Sequence, residues 1–279
     1  MIRVGFRATP LGALVSTIIL LAAPLSHLSA QEGEKTRLTV FAAASLTECF
    51  NSMAAKYSIG RPGVSFSFNF AGSQQLAQQI AQGAPVDLFV SANLKQMGEA
   101  AKSGRVDTSA MKVFACNRLV VVYPKDNAGG IWTLSDLSRP HLKIVLADKA
   151  VPVGQYSLDF LDKCARSASL GPGYREGFLG NVVSHEENVR AVLSKVALGE
   201  ADAGIVYTSD VSERARNDVG TIDIPDSLNV VATYPIAPIL DSRFVVEAKE
   251  FIAFILSGQG REILSRFGFI PLNVESATK

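Results

Sequence analysis

The stretch "VFAAASLTECF", Val40 to Phe50, passes from an apolar run through three alanines to a serine that opens an amphipathic segment. Leu38 to Ala43 reads as a buried strand. Leu46, Phe50, Met53, Ala54 and Tyr57 then recur at helical spacing, so the whole is one β-α unit. Alanines and a serine at that junction let backbone come close to something small. In open α/β sheets ligands sit at the carboxyl ends of strands, where helices begin with unpaired N–H groups.

The same rhythm continues outward. "VSFSFNF" alternates as a strand, "SQQLAQQIAQG" reads as a helix stopped by Gly83, and "PVDLFVSA" as another strand. It repeats in "NRLVVVYP", "LKIVLAD", "QYSLDFLDKCARSA", "GNVVS", "NVRAVLSKVALG" and "ADAGIVY". Runs of Val, Ile and Leu bounded by turns indicate strands buried on both faces, hence an α/β protein with a largely parallel sheet under helices. "YPKDNAGGIW", Tyr123 to Trp132, is a loop. Arg243 to Phe269 is mostly helical, with a break around "SGQG".

At the amino end, Arg3 and Arg7 precede an apolar run from Leu11 to Pro24, and "LSHLSA" ends in small residues before the polar "QEGEK". This is the layout of a cleavable secretory signal over residues 1–30, with Ala30 the last residue removed. As a membrane anchor the run is short and lacks a following charge cluster. Gln31, not a lipidatable Cys, comes next. Cleavage removes two arginines and no acid, taking the formal charge from +1 to −1. No bulk field attracts nucleic acid or membrane. Cys49, Cys116 and Cys164 are odd in number and widely spaced, which excludes a zinc framework and leaves at most one disulfide; each sits in an apolar context suited to a buried free thiol.

Four junctions have this character: "AAAS" at Ser45, "FAGS" at Ser73, "VPVG" at Val153 and "HEENV" at Val189. Each precedes or opens a predicted helix. A purely structural reading exists for several. Ser45 and Glu48 fit a capping box, Ser73 is an ordinary N-cap, and Pro152 is unremarkable near a helix start. Function enters if these termini converge on one anion. Catalytic motifs are lacking: only His141 and His185 follow residue 30, no G-x-S-x-G surrounds Ser45 or Ser73, and there is neither P-loop nor HExxH. "GPGYREG", Gly171 to Gly177, follows a helical segment and carries Pro172, unlike a dinucleotide loop.

"LTVFAAASLTECF", "FAGSQQLAQQIAQGAPVDLFVSAN", "LVVVYPK", "ADKAVPVGQYSLDFL", "ENVRAVLSKVALGEADAGIVYTSD" and "GREILSRFGF" together resemble the periplasmic molybdate-binding proteins of ABC importers. The resemblance implies a two-lobe type II periplasmic binding protein fold, each lobe a mainly parallel sheet flanked by helices. The expected lobes are residues 31–116 plus 232–279 and residues 117–231, with the ligand in the cleft between them. Carried over by motif, the ligand set is the hydroxyl and amide of Ser45 and of Ser73, the amides of Val153 and Val189, and the hydroxyl of Tyr207. From position alone, Tyr207 reads equally as a core aromatic at a strand end. Gly72-Ser73 stands where relatives carry a serine run.

The chemistry of these groups agrees. An ionised oxyanion only accepts hydrogen bonds, so its site needs donors and no acceptor. Charge-assisted hydrogen bonds of about 1.5 to 3 kcal/mol each sum to tight binding without a cation against the ligand. The resulting expectation is a periplasmic, monomeric, non-enzymatic protein that takes up molybdate, and tungstate too, for an inner-membrane ABC permease with its cytoplasmic ATPase. Molybdenum enters only as the oxyanion, and no cofactor is expected. The alternatives are a sulfate-type binder and a secreted hydrolase using Ser45 or Ser73 with His185.

Overall fold

The computed structural model describes residues 1–5, 36–213 and 215–272. The expected signal lies, from residue 6 onward, outside the described residues. Among the described residues no helix is long and apolar enough to cross a membrane.

Strands and helices alternate: β1 (Thr36–Ala43), α1 (Thr47–Gly60), β2 (Val64–Ala71), α2 (Ser73–Ala81), β3 (Leu88–Val90), α3 (Leu94–Ala101) and β4 (Lys112–Pro124). After these come β5 (Ile144–Ala147), α4 (Pro152–Ala165), α5 (Tyr174–Gly180), β6 (Val182–Glu186), α6 (Val189–Ala197), β7 (Ala203–Tyr207) and β8 (Val219–Asp223). The chain ends with β9 (Val231–Pro238), α7 (Val245–Leu256), α8 (Gly258–Arg266) and β10 (Ile270–Pro271). The strand order is β2-β1-β3-β9-β4-β7-β5-β6, with β8 and β10 also paired to β4.

Two parallel blocks stand out. In one, β1 pairs in parallel with β2 and β3; in the other, β5 pairs in parallel with β6 and β7. Antiparallel β9 and β4 join them. Strand β4 pairs with β9 through Lys112–Arg118 and with β7 from Leu119 onward, so one long strand serves both blocks. Each crossover helix covers apolar strands: β5 and β7 are wholly buried, and β1 is buried from Val40 onward. An aromatic cluster fixes α1 and α7 on the first block, with Phe66 and Phe251 ring centres 4.5 Å apart and Phe50 set edge-on to Phe114.

The β-α rhythm holds along the chain, and the break expected near "SGQG" falls at Ser257, between α7 and α8. The predicted loop at 123–132 turns through Asn127 and Gly130, both at positive φ. Helix α3 was not anticipated, although Asn93 caps it by accepting the Gln96 N–H and Met97 and Ala100 form its buried face. The capping box expected of Ser45 and Glu48 does not form. Ala44 to Leu46 make a separate 3-10 turn, the N-cap of α1 is Leu46, and Glu48 pairs with Arg190 instead. Ser73 is the first residue of α2 and not its cap; Gly72 is the cap, its N–H donated to Gln75 Oε1 at 3.1 Å. His185 sits on strand β6 and is exposed.

Candidate functional site

Ser45, Ser73, Val153, Val189 and Tyr207 line one small cavity, together with Ala43, Ala44, Ala71, Gly72, Ala92 and other small or uncharged residues. All five are buried. The cavity has a volume of about 20 Å³, and no charged side chain lines it. Residues that lie far apart in sequence meet there because both parallel blocks aim their strand ends, and the helices that follow, at the same space.

Each helix start contributes backbone. Ser73 and Val189 are the first residues of α2 and α6, and Val153 the second of α4. Ser45 is the second residue of the 3-10 turn. N–H groups at such positions have no acceptor within their own helix, and the dipoles of α2, α4 and α6 favour negative charge at that end. Pro152 starts α4 without removing a needed donor. Asn188 caps α6 by accepting the Ala191 N–H at 3.0 Å, which leaves the Val189 N–H free of that role.

Two glycines permit the approach. A Cβ on Gly154 would lie 2.0 Å from the Asp148 carbonyl oxygen and 2.5 Å from that of Ala147, so α4 can abut the end of β5 only with glycine there. A Cβ on Gly72 would lie 2.6 Å from the Glu187 carbonyl oxygen, across the cavity from β2.

The hydroxyls are arranged as donors. Ser73 Oγ accepts the Ala92 N–H at 3.0 Å, leaving its own hydrogen for another partner. Ser45 Oγ lies 3.0 Å from the Tyr234 hydroxyl, both buried. Tyr207 packs edge-on against Tyr234, ring centres 5.9 Å apart, and its buried hydroxyl has no hydrogen-bond partner. Burial raises the Tyr207 pKa well above its ordinary value, and that of Tyr234 too, so both remain neutral O–H groups. An unpaired buried hydroxyl is costly, which makes this one a place where a ligand acceptor is worth most.

Beyond the lining, Arg190 follows Val189 and reaches the Ala44 carbonyl with Nε at 3.3 Å, the Glu48 carboxylate with Nη2, and Asp210 Oδ1 with Nε at 3.5 Å. Asp210 is fully buried, its Oδ2 accepts the Tyr207 N–H at 3.0 Å, and burial, opposed by Arg190, raises its pKa to about 6. Sequence reading missed Tyr234, Arg190 and Asp210. Arg190 lies inside the quoted "ENVR" motif, whereas "ATYPI" around Tyr234 carries no local signal. His185 does not line the cavity. Cys49 and Cys164 are buried free thiols and Cys116 is a half-buried one; none touches the site.

Residues 38–270 match a family described as bacterial extracellular solute-binding protein. The chain is similar to the molybdate-binding protein ModA of Mycobacterium tuberculosis, 37% identical over 232 residues that cover 83% of this chain and 84% of that one. It is also similar to ModA of Escherichia coli, 33% identical over 243 residues, 85% of this chain and 90% of that one. Its structure is similar to that of the sulfate-binding protein SubI from Mycobacterium tuberculosis, with a TM-score of 0.75 at 18% identity over 86% of this chain and 88% of that one, a likeness of fold alone. The expected type II periplasmic binding protein architecture is the one found.

Proposed function

This chain belongs to the bacterial extracellular solute-binding protein family, and from that premise we propose that it captures molybdate, and tungstate too, for an ABC permease and its ATPase. The observation that carries the reading is the orphaned Tyr207 hydroxyl in a cavity lined with helix-start N–H groups and serine hydroxyls and by no charged side chain. A fully ionised tetrahedral anion offers only acceptors, and such a wall offers donors. The relatives named for molybdate support that anion over others.

In this reading the ligand is held by the hydroxyls and amides of Ser45 and Ser73, the amides of Val153 and Val189, and the hydroxyl of Tyr207. The lobes, residues 31–116 plus 232–279 and residues 117–231, close on it as a monomer in the periplasm, after removal of residues 1–30. The protein binds and releases its ligand unchanged and is no enzyme. A neutral cage suits that role, because it holds the ion without a fixed counter-charge that would retain it.

Phosphate is partly protonated near neutrality and needs an acceptor, which no carboxylate in the lining supplies. Isothermal titration of the ligand-free protein with molybdate, tungstate, sulfate and phosphate tests the proposal. Tight binding of the first two and weak binding of the others is expected. Sulfate bound more tightly than molybdate would overturn the ligand assignment.

A further inference from the structure

Arg190 stands outside the cavity, yet it touches the neighbours of three of the proposed ligand residues. It adjoins Val189 in sequence, its Nε lies 3.3 Å from the carbonyl oxygen of Ala44, beside Ser45, and the same nitrogen lies 3.5 Å from Asp210, whose other oxygen holds the Tyr207 N–H. Its Nη2 meets the carboxylate of Glu48 on α1. On the lobe division proposed above, Asp210 shares a lobe with Arg190, whereas Ala44 and Glu48 belong to the other. The two sets of contacts differ in kind. Asp210 is fully buried, but the Glu48 side chain is 44% exposed. Opening the cleft would leave the first contact intact and return the second to water.

Other contacts bridge the same division without a charge on the reaching group. Gln74 and Gln75 reach Glu187, and Gln96 donates to the Ala150 carbonyl. Arg190 differs from them in carrying a charge and in facing a fully buried carboxylate of its own lobe, Asp210, as an ion pair at 3.5 Å. Its guanidinium presents a rigid fork, so little ordering remains when the far partners arrive.

We propose that Arg190 is the latch of the closed form: held by Asp210 in its own lobe, it closes onto the Ala44 carbonyl and the Glu48 carboxylate, and so sets ligand affinity as a positioning residue that never touches the ligand. This rests on the oxyanion-binding reading. The latch couples closure to the helix start that carries Val189 and to the turn that carries Ser45.

The test is a titration of the parent, Glu48→Gln, Arg190→Lys, Arg190→Gln and the Glu48→Gln/Arg190→Gln double variant with molybdate and with sulfate, beside melting curves of the ligand-free proteins. Arg190→Gln strands a buried acid and can destabilise the fold, so Glu48→Gln carries the decision. It alters a half-exposed group that is unlatched in the open form. Glu48→Gln should therefore melt like the parent without ligand and bind about three- to tenfold more weakly. Arg190→Gln should lose about ten- to thirtyfold, Arg190→Lys less, and the double variant no more than Arg190→Gln, because both changes break one interaction. Parental or tighter affinity in Glu48→Gln, or fully additive losses in the double variant, overturns the latch. A parent that binds sulfate in place of molybdate sinks the ligand assignment while the latch is read on sulfate; a parent that binds neither sinks both.

Discussion

The hydroxyl oxygens of Ser45 and Tyr234 lie 3.0 Å apart, both in fully desolvated surroundings. Residue 45 follows β1 and residue 234 lies on β9, so this bond joins a cavity-lining serine to the antiparallel strand that links the two parallel blocks. Either hydroxyl can donate in this pair; where Tyr234 donates to Ser45 Oγ, the serine hydrogen is left for the ligand. Tyr234→Phe keeps the ring packed against Tyr207 and removes the bond. Molybdate affinity should fall by up to about tenfold, the weight of one neutral hydrogen bond. An unchanged dissociation constant in calorimetry would mean that Ser45 orients itself.

At Val189 the proposed donor is backbone, so side chain and amide can be separated. Val189→Ala should keep the affinity while lowering the melting temperature through lost apolar burial. Val189→Pro removes the N–H at the first helical position, where proline is best tolerated, and the extended backbone of Asn188 (φ −160°, ψ 170°) already suits a following proline. Affinity should drop roughly tenfold to a hundredfold, one hydrogen bond to a charged group. A folded proline variant that binds like the parent removes Val189 from the site.

Gly154→Ala tests the close approach of α4 to β5. Its Cβ would meet backbone oxygens of Ala147 and Asp148, which cannot rotate aside as a side chain can. The start of α4 must shift, and the Val153 N–H with it. We expect both a lower melting temperature and weaker molybdate binding, whereas Gly180→Ala, with open space at its Cβ, should change neither. Parental binding by Gly154→Ala would show that α4 does not supply a donor.

Proton linkage should be visible at Asp210. Unfolded, it ionises near 3.8, the ordinary aspartate value; folded, at about 6, because burial, reinforced by the repulsion of Glu48, outweighs the attraction of Arg190 and the hydrogen bond from the Tyr207 N–H. Between those values the folded protein binds more protons, so stability falls as pH rises through the window and stays lowered above it. At about 1.4 kcal/mol per pKa unit, the loss approaches about 3 kcal/mol. Asp210→Asn should therefore gain stability relative to the parent as pH goes from about 4 to 7, read from paired thermal melts. A difference that shrinks over that range would show that the Arg190 pair dominates. Molybdate affinity itself should stay flat from about pH 7 to 8, above the Asp210 titration, since His185 is off the cavity and both tyrosines titrate above their ordinary pKa of about 10.

Burial pushes the thiols of Cys49 and Cys164 up to about 12, and Cys116 is raised less strongly in a half-buried position. Alkylation of the native protein near neutral pH, followed by mass spectrometry, should mark Cys116 ahead of the other two. Molybdate affinity should survive that labelling. Early modification of Cys49 or Cys164 would mean that α1 or α4 opens in the native state.

Helices and strands were legible in the sequence because local spacing determines which face of a segment is apolar. β1, α2, α4, α6 and β7 follow directly from their patterns of Val, Ile, Leu and Ala. The five proposed ligand positions were legible as well, four as small-residue junctions and all five by resemblance. Contacts between residues separated by scores of positions were not. Ser45 reads locally as a cap, yet it became a cavity wall because β9 brings Tyr234 beside it. Glu48 reads as the other half of that capping box, yet Arg190 of α6 takes it from far along the chain. Hydrogen-bonding groups have several local partners of similar worth, so the choice among them rests on which distant group arrives with better geometry and less solvent. The path of β4 through both parallel blocks sets those arrivals. Local periodicity therefore determined the elements and the chemistry available at their ends, and the tertiary crossing decided which of those ends share one cavity and which charges guard it.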